Sequence, residues 1–342
     1  MDVAAAESLL VSAEEVRQAL RGPDGAAAQA RLDELYPQLR EAFELFLGAG
    51  RSDDALRLAS TLAPFWMATS RIEEGDAWFR EATDSPGGSE AVRARGLYDH
   101  GYLIFWTGDY DRSGSLAREA VETGRAAAEA TTVALALGVL ARIALKTDLD
   151  EAKRLLHEAI AVTEGTDDVE GRSSAMHVLG VAYQMSGEFE EASKVMSDRI
   201  ALGRETGNDY LIAIESANLS MVERQLGNLD RAEALAREAL DIMNRRGDEL
   251  AIPWVVNSLA AVTAARGDHL RAATLLGFAE TGIERAGGKW PPDERAQYEG
   301  TLETLRNGLA PGDLDRARAE GAAMSTSEAV AYATSSAVTP AA

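Results

Sequence analysis

Residues 175–200 read AMHVLGVAYQMSGEFEEASKVMSDRI and contain the pattern that decides the fold. Ahead of Gly187, small and apolar residues such as Leu179 and Tyr183 recur at helical spacing, which predicts one buried helix face. Beyond it, Ala192 begins a second series with the same spacing. Because glycine readily adopts the positive φ that ends a helix, Gly187 is expected to separate the two helices. The stretch therefore predicts a helix, a tight turn and a second helix.

The same pattern returns along the chain at a nearly constant spacing. Its turn residues are Ser70, Gly108, Thr147, Gly187, Gly227 and Gly267. The intervals between the last five of them, counted along the sequence, are 39, 40, 40 and 40. A small residue follows each turn residue five positions later, in the order Gly75, Ser113, Ala152, Ala192, Ala232 and Ala272. Such a period predicts an all-α fold, a right-handed superhelix (α-solenoid) of stacked helical hairpins.

Composition agrees with helices and restricts the possible partners. The 342 residues include 34 Lys and Arg against 56 Asp and Glu, for a formal net charge of −22. This charge repels phosphate backbones and anionic lipid surfaces, so direct binding to nucleic acid or to a membrane is not expected. Hydrophobic residues make up 46 % of the chain but aromatic ones only 6 %, so a large aromatic core is not expected either.

The absence of cysteine and of targeting signals favours a cytoplasmic protein. No disulfide, thiol nucleophile or cysteine-bound metal is possible without cysteine. Residues 1–20 have four acidic side chains and lack the basic start and apolar core of a secretory signal. The uncharged run at residues 130–141 is too short to cross a bilayer, which needs about 20 residues.

The repeats divide the chain into four segments. We predict an N-terminal helical cap at 1–50, with a break at 21–25, and about six hairpins at 51–290. Proline starts a new segment at 291, so capping helices are expected at 291–333, interrupted at 308–312. Residues 334–342 are expected to be a disordered tail.

We find no motif for catalysis, for a cofactor or for a metal. The chain lacks the glycine-rich phosphate loop, the nucleophile elbow and the paired histidines of zinc sites. Its four histidines are His100, His157, His177 and His269, and no two of them are four residues apart. We therefore predict a protein that is not an enzyme and has no cofactor.

The hairpins resemble tetratricopeptide repeats. Leu179, Gly180, Tyr183 and Ala192 match the signature of that family, although the other copies depart from it. The 40-residue period exceeds the usual 34, which implies either longer helices or longer joints. In this family the first helix of each hairpin lines a concave groove, and the resemblance implies the same here.

Counting back from each turn residue gives the candidate groove residues. Aromatic and polar side chains alternate along this strip, which suits an extended peptide, a protein segment or a small effector. The candidates are Tyr98, Tyr102, Trp106, His177, Gln184, Asn218, Arg224, Trp254 and Asn257. The alternative is a purely structural role, in which these side chains only pack the repeats together. The third hairpin contributes Ala134, Leu137 and Ala141, which predict a smooth wall.

A second resemblance extends from about residue 14 to residue 333. The runs at 272–280, 291–298 and 321–333 are similar to the C-terminal region of large bacterial regulatory ATPases, including LuxR-type and AfsR-type transcriptional regulators. The resemblance implies a sensor or interaction module. The NTPase and DNA-binding domains of these regulators have no counterpart in the sequence.

Our leading hypothesis is a non-catalytic module that binds a peptide, a protein or a small effector in its groove and serves regulation. The first alternative is a structural or oligomerisation scaffold without a ligand, because Ala-rich helix faces at the ends could self-associate. The second is an enzyme on a helical scaffold.

Overall fold

The computed structural model describes residues 1–20, 25–166, 168–248, 251–285 and 292–335. Within these ranges the secondary structure consists of seventeen α-helices and no strand, which confirms the all-α prediction. The helices divide into two compact units, Met1–Ser186 and Gly187–Ala342.

Consecutive helices alternate with short turns in both units. The first unit contains α1 (Val3–Ala19), α2 (Gly25–Gly48), α3 (Ser52–Ala68), α4 (Ile72–Asp84), α5 (Glu90–Phe105), α6 (Tyr110–Ala126), α7 (Ala130–Ala144), α8 (Leu149–Ala161) and α9 (Val169–Met185). The second contains α10 (Phe189–Thr206), α11 (Asp209–Gln225), α12 (Leu229–Arg246), α13 (Ile252–Ala265), α14 (His269–Arg285), α15 (Pro292–Gly308), α16 (Pro311–Ala322) and α17 (Thr326–Thr334).

The turn residues take the conformation that the repeat predicts. Gly187 has a φ of +76° between α9 and α10, and even Ser70, in the most divergent copy, has a φ of +58°. Thr147 is the exception, since it is not among the residues with positive φ. There the side chain of Asp148 caps α8 instead, accepting a hydrogen bond from the Glu151 amide at 3.0 Å.

Small residues allow the helices of a hairpin to approach closely. In the α5–α6 hairpin, the Ser113 hydroxyl donates to the Gly101 carbonyl at 2.8 Å. In the α11–α12 hairpin the direction is reversed, and the Ser220 hydroxyl donates to the Ala232 carbonyl at 2.8 Å. A Cβ added at Gly101 would lie 3.2 Å from the Leu116 Cβ, so the contact leaves little room.

Long helices account for the extended period in the α11–α12 repeat, whereas α7 and α8 have only 15 and 13 residues. Helix α11 has 17 residues and α12 has 18, so the two helices alone are longer than a complete repeat of the usual length. The joint that precedes α11 is only Gly207 and Asn208. The two explanations left open by the sequence thus hold in different repeats, since a longer joint at 162–168 follows the short helices α7 and α8.

The expectation that the chain has no large aromatic core is wrong. Trp78 stacks on Phe43 with ring centroids 4.2 Å apart and meets Trp66 edge-on at 5.3 Å. The Trp66 indole N–H donates to the Tyr36 hydroxyl at 2.9 Å. Whole-chain composition concealed this core because 7 of the 20 aromatic residues lie between residues 36 and 79.

The C-terminal helices follow the predicted signals with small shifts. Ser325 and Glu328 form a capping box at the start of α17. The interruption before α16 is shorter than expected, because α15 extends to Gly308 and α16 begins at Pro311. Thr334 belongs to α17, and Gly25, the last residue of the break predicted at 21–25, begins α2. Residues 21–24, residue 291 and the tail at 336–342 lie outside the described residues.

A buried ionic cluster joins α4, α5 and α6. The Asp76 carboxylate accepts from Arg112 Nη1 at 3.0 Å and from Arg80 at 2.7 Å. His100 Nε2 lies 2.7 Å from Asp76 Oδ1, and we assign the proton to Nε2 because a carboxylate can only accept. Burial alone would raise the pKa of Asp76, but the hydrogen bonds from Arg112 and His100 outweigh it and lower the pKa to about 2.

Burial of His100 makes the first unit sensitive to acid. Desolvation lowers the pKa of His100 below its ordinary 6.5, so the unfolded chain binds a proton at a higher pH than the folded one. The stabilisation from neutral His100 is therefore complete above pH 6.5 and is lost as the pH falls below that value. The Asp76 carboxylate adds a second loss only between its ordinary pKa of 3.8 and about 2.

We expect His100→Gln to flatten the pH dependence of unfolding between pH 7.5 and pH 5. Glutamine keeps a donor for Asp76 but does not titrate, so the free energy of unfolding should fall less in the variant than in the parent over this range. Urea titrations followed by circular dichroism measure the free energy of unfolding at each pH. The exposed His157, changed to Gln, is the control, and equal slopes in all three proteins would refute the role of His100.

Helices α14 and α16 meet backbone to backbone through two glycines. A Cβ on Gly277 would lie 2.1 Å from the Arg318 carbonyl oxygen, and a Cβ on Gly321 would lie 1.8 Å from that of Thr274. Neither carbonyl can move without shifting its helix. These glycines therefore set the distance between α14 and α16.

We expect Gly277→Ala to lower the free energy of unfolding by about 1–3 kcal/mol or more, because the added methyl group overpacks this contact. Gly300 is exposed within α15, and a Cβ added there would have no other atom within 4 Å. Gly300→Ala should instead raise stability by roughly 0.5–1 kcal/mol through helix propensity. Thermal and urea unfolding compare the two, and similar effects of both changes would contradict the close contact.

Candidate functional site

The predicted aromatic residues of the first unit form a ladder along α5. The rings of Tyr98 and Tyr102 stack with centroids 6.1 Å apart, and Trp106 meets Tyr102 edge-on at 6.0 Å. Both tyrosines are half-buried, whereas Trp106 is 57 % exposed. Burial raises the pKa of the Tyr98 hydroxyl above its ordinary value. The ladder thus becomes more accessible toward the C-terminal end of α5.

Arg95 precedes this ladder by one helical turn. Its guanidinium lies 5.4 Å from the centre of the Tyr98 ring, and its Nε donates to Asp99 at 2.9 Å. The negative charge of Asp99 raises the pKa of Arg95 above its ordinary value. A longer ion pair, 3.8 Å, connects Arg95 to Glu170 on α9. Arg95 is therefore held in one orientation by groups on two helices.

The expected smooth wall of α7 is covered. Ala134, Leu137 and Ala141 are all buried, at 2 % exposure or less. The ion pair between Arg95 and Glu170 shows that α5 and α9 approach each other beside α7. Ala134 and Ala141 therefore offer no open wall to a ligand, whereas Leu137 also lines a separate groove between α6, α7 and α8.

An open groove of about 670 Å³ lies beside Arg95 in the first unit. Helices α1, α3 and α5 supply most of its lining, and Glu129 and Glu170 complete one side. The lining residues are Glu14, Arg17, Leu20, Arg57, Ser60, Thr61, Pro64, Ala91, Val92, Arg95, Glu129 and Glu170. We call this the α1–α3–α5 groove.

Charges of both signs line the α1–α3–α5 groove. Arg57 pairs with Glu14 at 2.8 Å across α1 and α3. Arg17 and Glu129 are half-buried, and neither forms an ion pair within the part of the chain that the structure describes. The groove can therefore offer one cation and one anion to a ligand without first breaking an internal pair.

None of the nine candidates counted along the sequence lines this groove, for an identifiable reason. The strip was counted from the later turns, but not from Ser70. Arg57 precedes Ser70 by the same interval at which Arg95 precedes Gly108, so the two arginines occupy equivalent positions of consecutive hairpins. The same count from Ser70 would have given Ser60 and Pro64, which also line the groove.

The sequence-predicted candidates of the first unit do not line this groove. His177 and Gln184 are half-buried on α9, two turns apart along the helix, and neither is among the residues that line the α1–α3–α5 groove. The aromatic ladder adjoins Arg95, which lines the groove, but none of the five predicted residues of the first unit lines it.

In the second unit, the predicted residues differ in accessibility. Asn218 and Arg224 on α11 and Trp254 on α13 are half-buried, whereas Asn257 is fully buried at 0 % exposure. The Nε of Arg224 is buried without a hydrogen-bond partner among the described residues, and burial lowers the pKa of its guanidinium. Asn257 therefore does not present its amide at the surface, while Arg224 retains unused hydrogen-bonding capacity.

Two buried glutamates on α11 were not anticipated from the sequence. Glu223 is fully buried and pairs with Arg231 at 2.9 Å, while its other oxygen accepts from Asn228 at 2.8 Å. Glu215 is equally buried and pairs with Arg199. These pairs connect α11 with its neighbours α10 and α12, so they are structural contacts of the second unit.

Two further searches covered the described ranges. No helix in them is long and apolar enough to cross a membrane. Nor do they contain a group of three or more His, Asp or Glu side chains arranged to hold a metal ion.

The chain is similar to repeat proteins and to bacterial regulators. Residues 217–246 match the tetratricopeptide repeat family. A protein of Mycobacterium tuberculosis, named as a candidate HTH-type transcriptional regulator, is 26 % identical over 275 residues, or 74 % of this chain and 31 % of the relative. The chain thus spans about a third of the length of that relative.

Solved structures share the fold at low identity. A Rap protein complexed with competence and sporulation factor has a TM-score of 0.53 at 10 % identity, over 94 % of this chain and 100 % of that chain. A STAND-class signal transduction ATPase of Pyrococcus horikoshii, with a tetratricopeptide repeat sensor, also has a TM-score of 0.53, at 13 % identity over 84 % of this chain and 47 % of that one. These similarities confirm a tetratricopeptide-like helical solenoid.

Proposed function

We propose that this chain is the non-catalytic interaction module of a bacterial regulatory protein and that it binds a peptide segment in the α1–α3–α5 groove. The observation that carries the proposal is the groove itself, about 670 Å³ in volume with arginine and glutamate side chains on its walls. Its size is within the range of ligand sites in proteins.

The chemistry of the lining favours a peptide over an apolar ligand. A peptide carries backbone donors and acceptors, and its side chains or termini supply charges of both signs. Arg17 can pair with a carboxylate and Glu129 with an ammonium group, while Ser60, Thr61 and Pro64 provide a narrow floor on α3. Arginine and its fork of donors suit a carboxylate particularly well.

The similar proteins also support a regulatory module that binds a peptide. A fold neighbour is described as a Rap protein complexed with competence and sporulation factor, and another carries a tetratricopeptide repeat sensor. The mycobacterial relative, named as a candidate HTH-type regulator, suggests a role in transcription control. We therefore propose an origin within LuxR-type or AfsR-type regulators and a place in the cytoplasm.

We extend the proposal to the aromatic and polar strip predicted from the sequence. Tyr102 and Trp106 on α5 lie beyond Arg95 and would receive side chains of a longer ligand. In the second unit, Arg224 would offer an anionic group its unused Nε donor, and Asn218 precedes it by six residues on the same helix.

We expect Arg17→Ala with Arg57→Ala to weaken peptide binding at least tenfold. A random 12-residue peptide library displayed on phage is selected against the immobilised full chain, and enriched peptides are measured by fluorescence anisotropy. Tenfold corresponds to about 1.4 kcal/mol, less than two charge-assisted hydrogen bonds commonly contribute. Glu129→Gln should specifically weaken the peptides that carry a basic residue.

Arg31→Ala is the matched control, because Arg31 is exposed on α2, pairs with the neighbouring Glu34 and does not line the groove. Circular dichroism spectra establish that each variant is folded. Peptides that bind the double variant and the control with equal affinity would remove the groove from the proposal.

A further inference from the structure

The second unit shows how this fold receives a short helix. Helix α17 packs against α12, α13 and α14. Its face toward them is made of small residues, and Ala329 and Ala333 are buried at 0 % and 2 % exposure. The groove formed by α12, α13 and α14 therefore accepts an alanine-faced helix of nine residues.

Two arginines hold the C-terminal end of α17. Arg271 donates to the Tyr332 carbonyl at 2.6 Å and to the Ser335 carbonyl at 2.7 Å. Arg237 on α12 donates to the Thr334 carbonyl at 2.9 Å. The last carbonyls of a helix lack hydrogen-bond partners within the helix and carry partial negative charge. Both arginines therefore supply donors and positive charge to the carbonyls at the end of α17.

The first unit contains a groove of the same construction. Helices α6, α7 and α8 enclose about 550 Å³. Its apolar lining includes Val121, Leu137, Leu140, Ile143 and Leu155. We call it the α6–α7–α8 groove. An ion pair between Arg125 and Glu158 connects α6 and α8 at one end, and Lys146 contacts the Tyr110 hydroxyl at the other.

The turn register identifies equivalent residues in the two grooves. Arg237 follows Gly227 by ten residues, and Arg118 follows Gly108 by ten. Arg118 lines the α6–α7–α8 groove and has no carboxylate partner among the described residues; its only hydrogen bond there is a long one, 3.5 Å, to the Ser115 hydroxyl. It is thus available for the contact that Arg237 makes with α17.

The two grooves differ at one equivalent position, and this difference indicates which side chain the ligand carries there. Arg271 follows Gly267 by four residues, and the equivalent position after Thr147 is Glu151. Arg271 lies 5.0 Å from the ring of Tyr332, so the side chain at that place on a docked helix would face Glu151 in the first unit. A basic side chain fits there, since the exposed pair of Glu151 with Arg154 costs little to rearrange.

We propose that the α6–α7–α8 groove binds a short, alanine-faced helix of another protein, whose last carbonyls meet Arg118 and whose last turn carries a lysine or arginine facing Glu151. Gly114 leaves the space for the helix on α6. A Cβ there would have only ordinary contacts, 3.6 Å from Ile143 and 3.4 Å from Arg118, so larger residues can be placed in the groove without disturbing the backbone.

The probe is a peptide of residues 325–335 with Tyr332→Lys, amidated at its C-terminus and labelled with fluorescein. Anisotropy is measured against the full chain up to millimolar concentration, since so short a helix is only marginally stable alone. We expect saturable binding, at least fivefold tighter than that of the unaltered 325–335 peptide. If the peptides instead bound in the α12–α13–α14 groove, the unaltered peptide would bind more tightly than the Tyr332→Lys peptide, because the lysine would face Arg271.

Variants of the chain locate the binding. Arg118→Ala should weaken it at least fivefold, and Gly114→Leu should abolish it while the unfolding temperature stays equal or rises, because leucine favours a helix more than glycine does. Arg31→Ala should change nothing.

Three results would overturn the proposal. They are the absence of saturable binding, binding lost on Arg237→Ala but kept on Arg118→Ala, or a dimer of the chain alone that Arg118→Ala dissociates. The last would assign the groove to a second copy of the chain. None of these results bears on the α1–α3–α5 groove, whose test uses different variants.

Discussion

The fold depends on the distance between the two helices of each hairpin. In the α5–α6 and α11–α12 hairpins, a serine hydroxyl on one helix reaches a carbonyl of the other at 2.8 Å, opposite glycine in the first and alanine in the second. A larger residue at Ser113 or Ala232, both fully buried, would separate the helices. The turn ahead of this contact then has little freedom, and glycine with positive φ recurs there because other residues adopt that conformation only at a cost.

Because every hairpin has nearly the same geometry, residues at the same distance along the sequence from their turn occupy corresponding positions in different hairpins. This regularity explains why Arg57 and Arg95, which precede their turns by the same interval, line one groove on consecutive hairpins. It also explains why Arg118 and Arg237 occupy the same place in two different grooves. Function can then vary by substitution at a few register positions, as between Glu151 and Arg271, while the helices and turns stay the same.

The sequence was sufficient for the local structure and insufficient for what packs over it. The period, the turn at Gly187 and the capping box at Ser325 follow from interactions within a few residues, and the structure has all three. Ala134 is covered in part by α9, since a Cβ added at Gly171 would lie 3.0 Å from the Ala134 Cβ. Helix α9 is separated from α7 in the chain by another helix, so this contact is not local. Helical spacing predicts which face of its own helix a side chain occupies, but it does not predict which other helix packs against that face. Asn257 shows the same limit, since it has the expected register but no exposed surface.

The net charge of −22 sets the electrostatic background for both grooves. Many of the acids are engaged locally: Asp109 and Asp148 cap helices, and Glu223 is buried in an ion pair. The remainder repel an anionic ligand at long range, and at physiological salt this repulsion is screened beyond about 8 Å. An arginine in contact with its ligand is hardly affected by that screening. We therefore expect Arg17 and Arg118, without carboxylate partners among the described residues, to select a carboxylate or the end of a helix at short range, while the acidic surface repels polyanions.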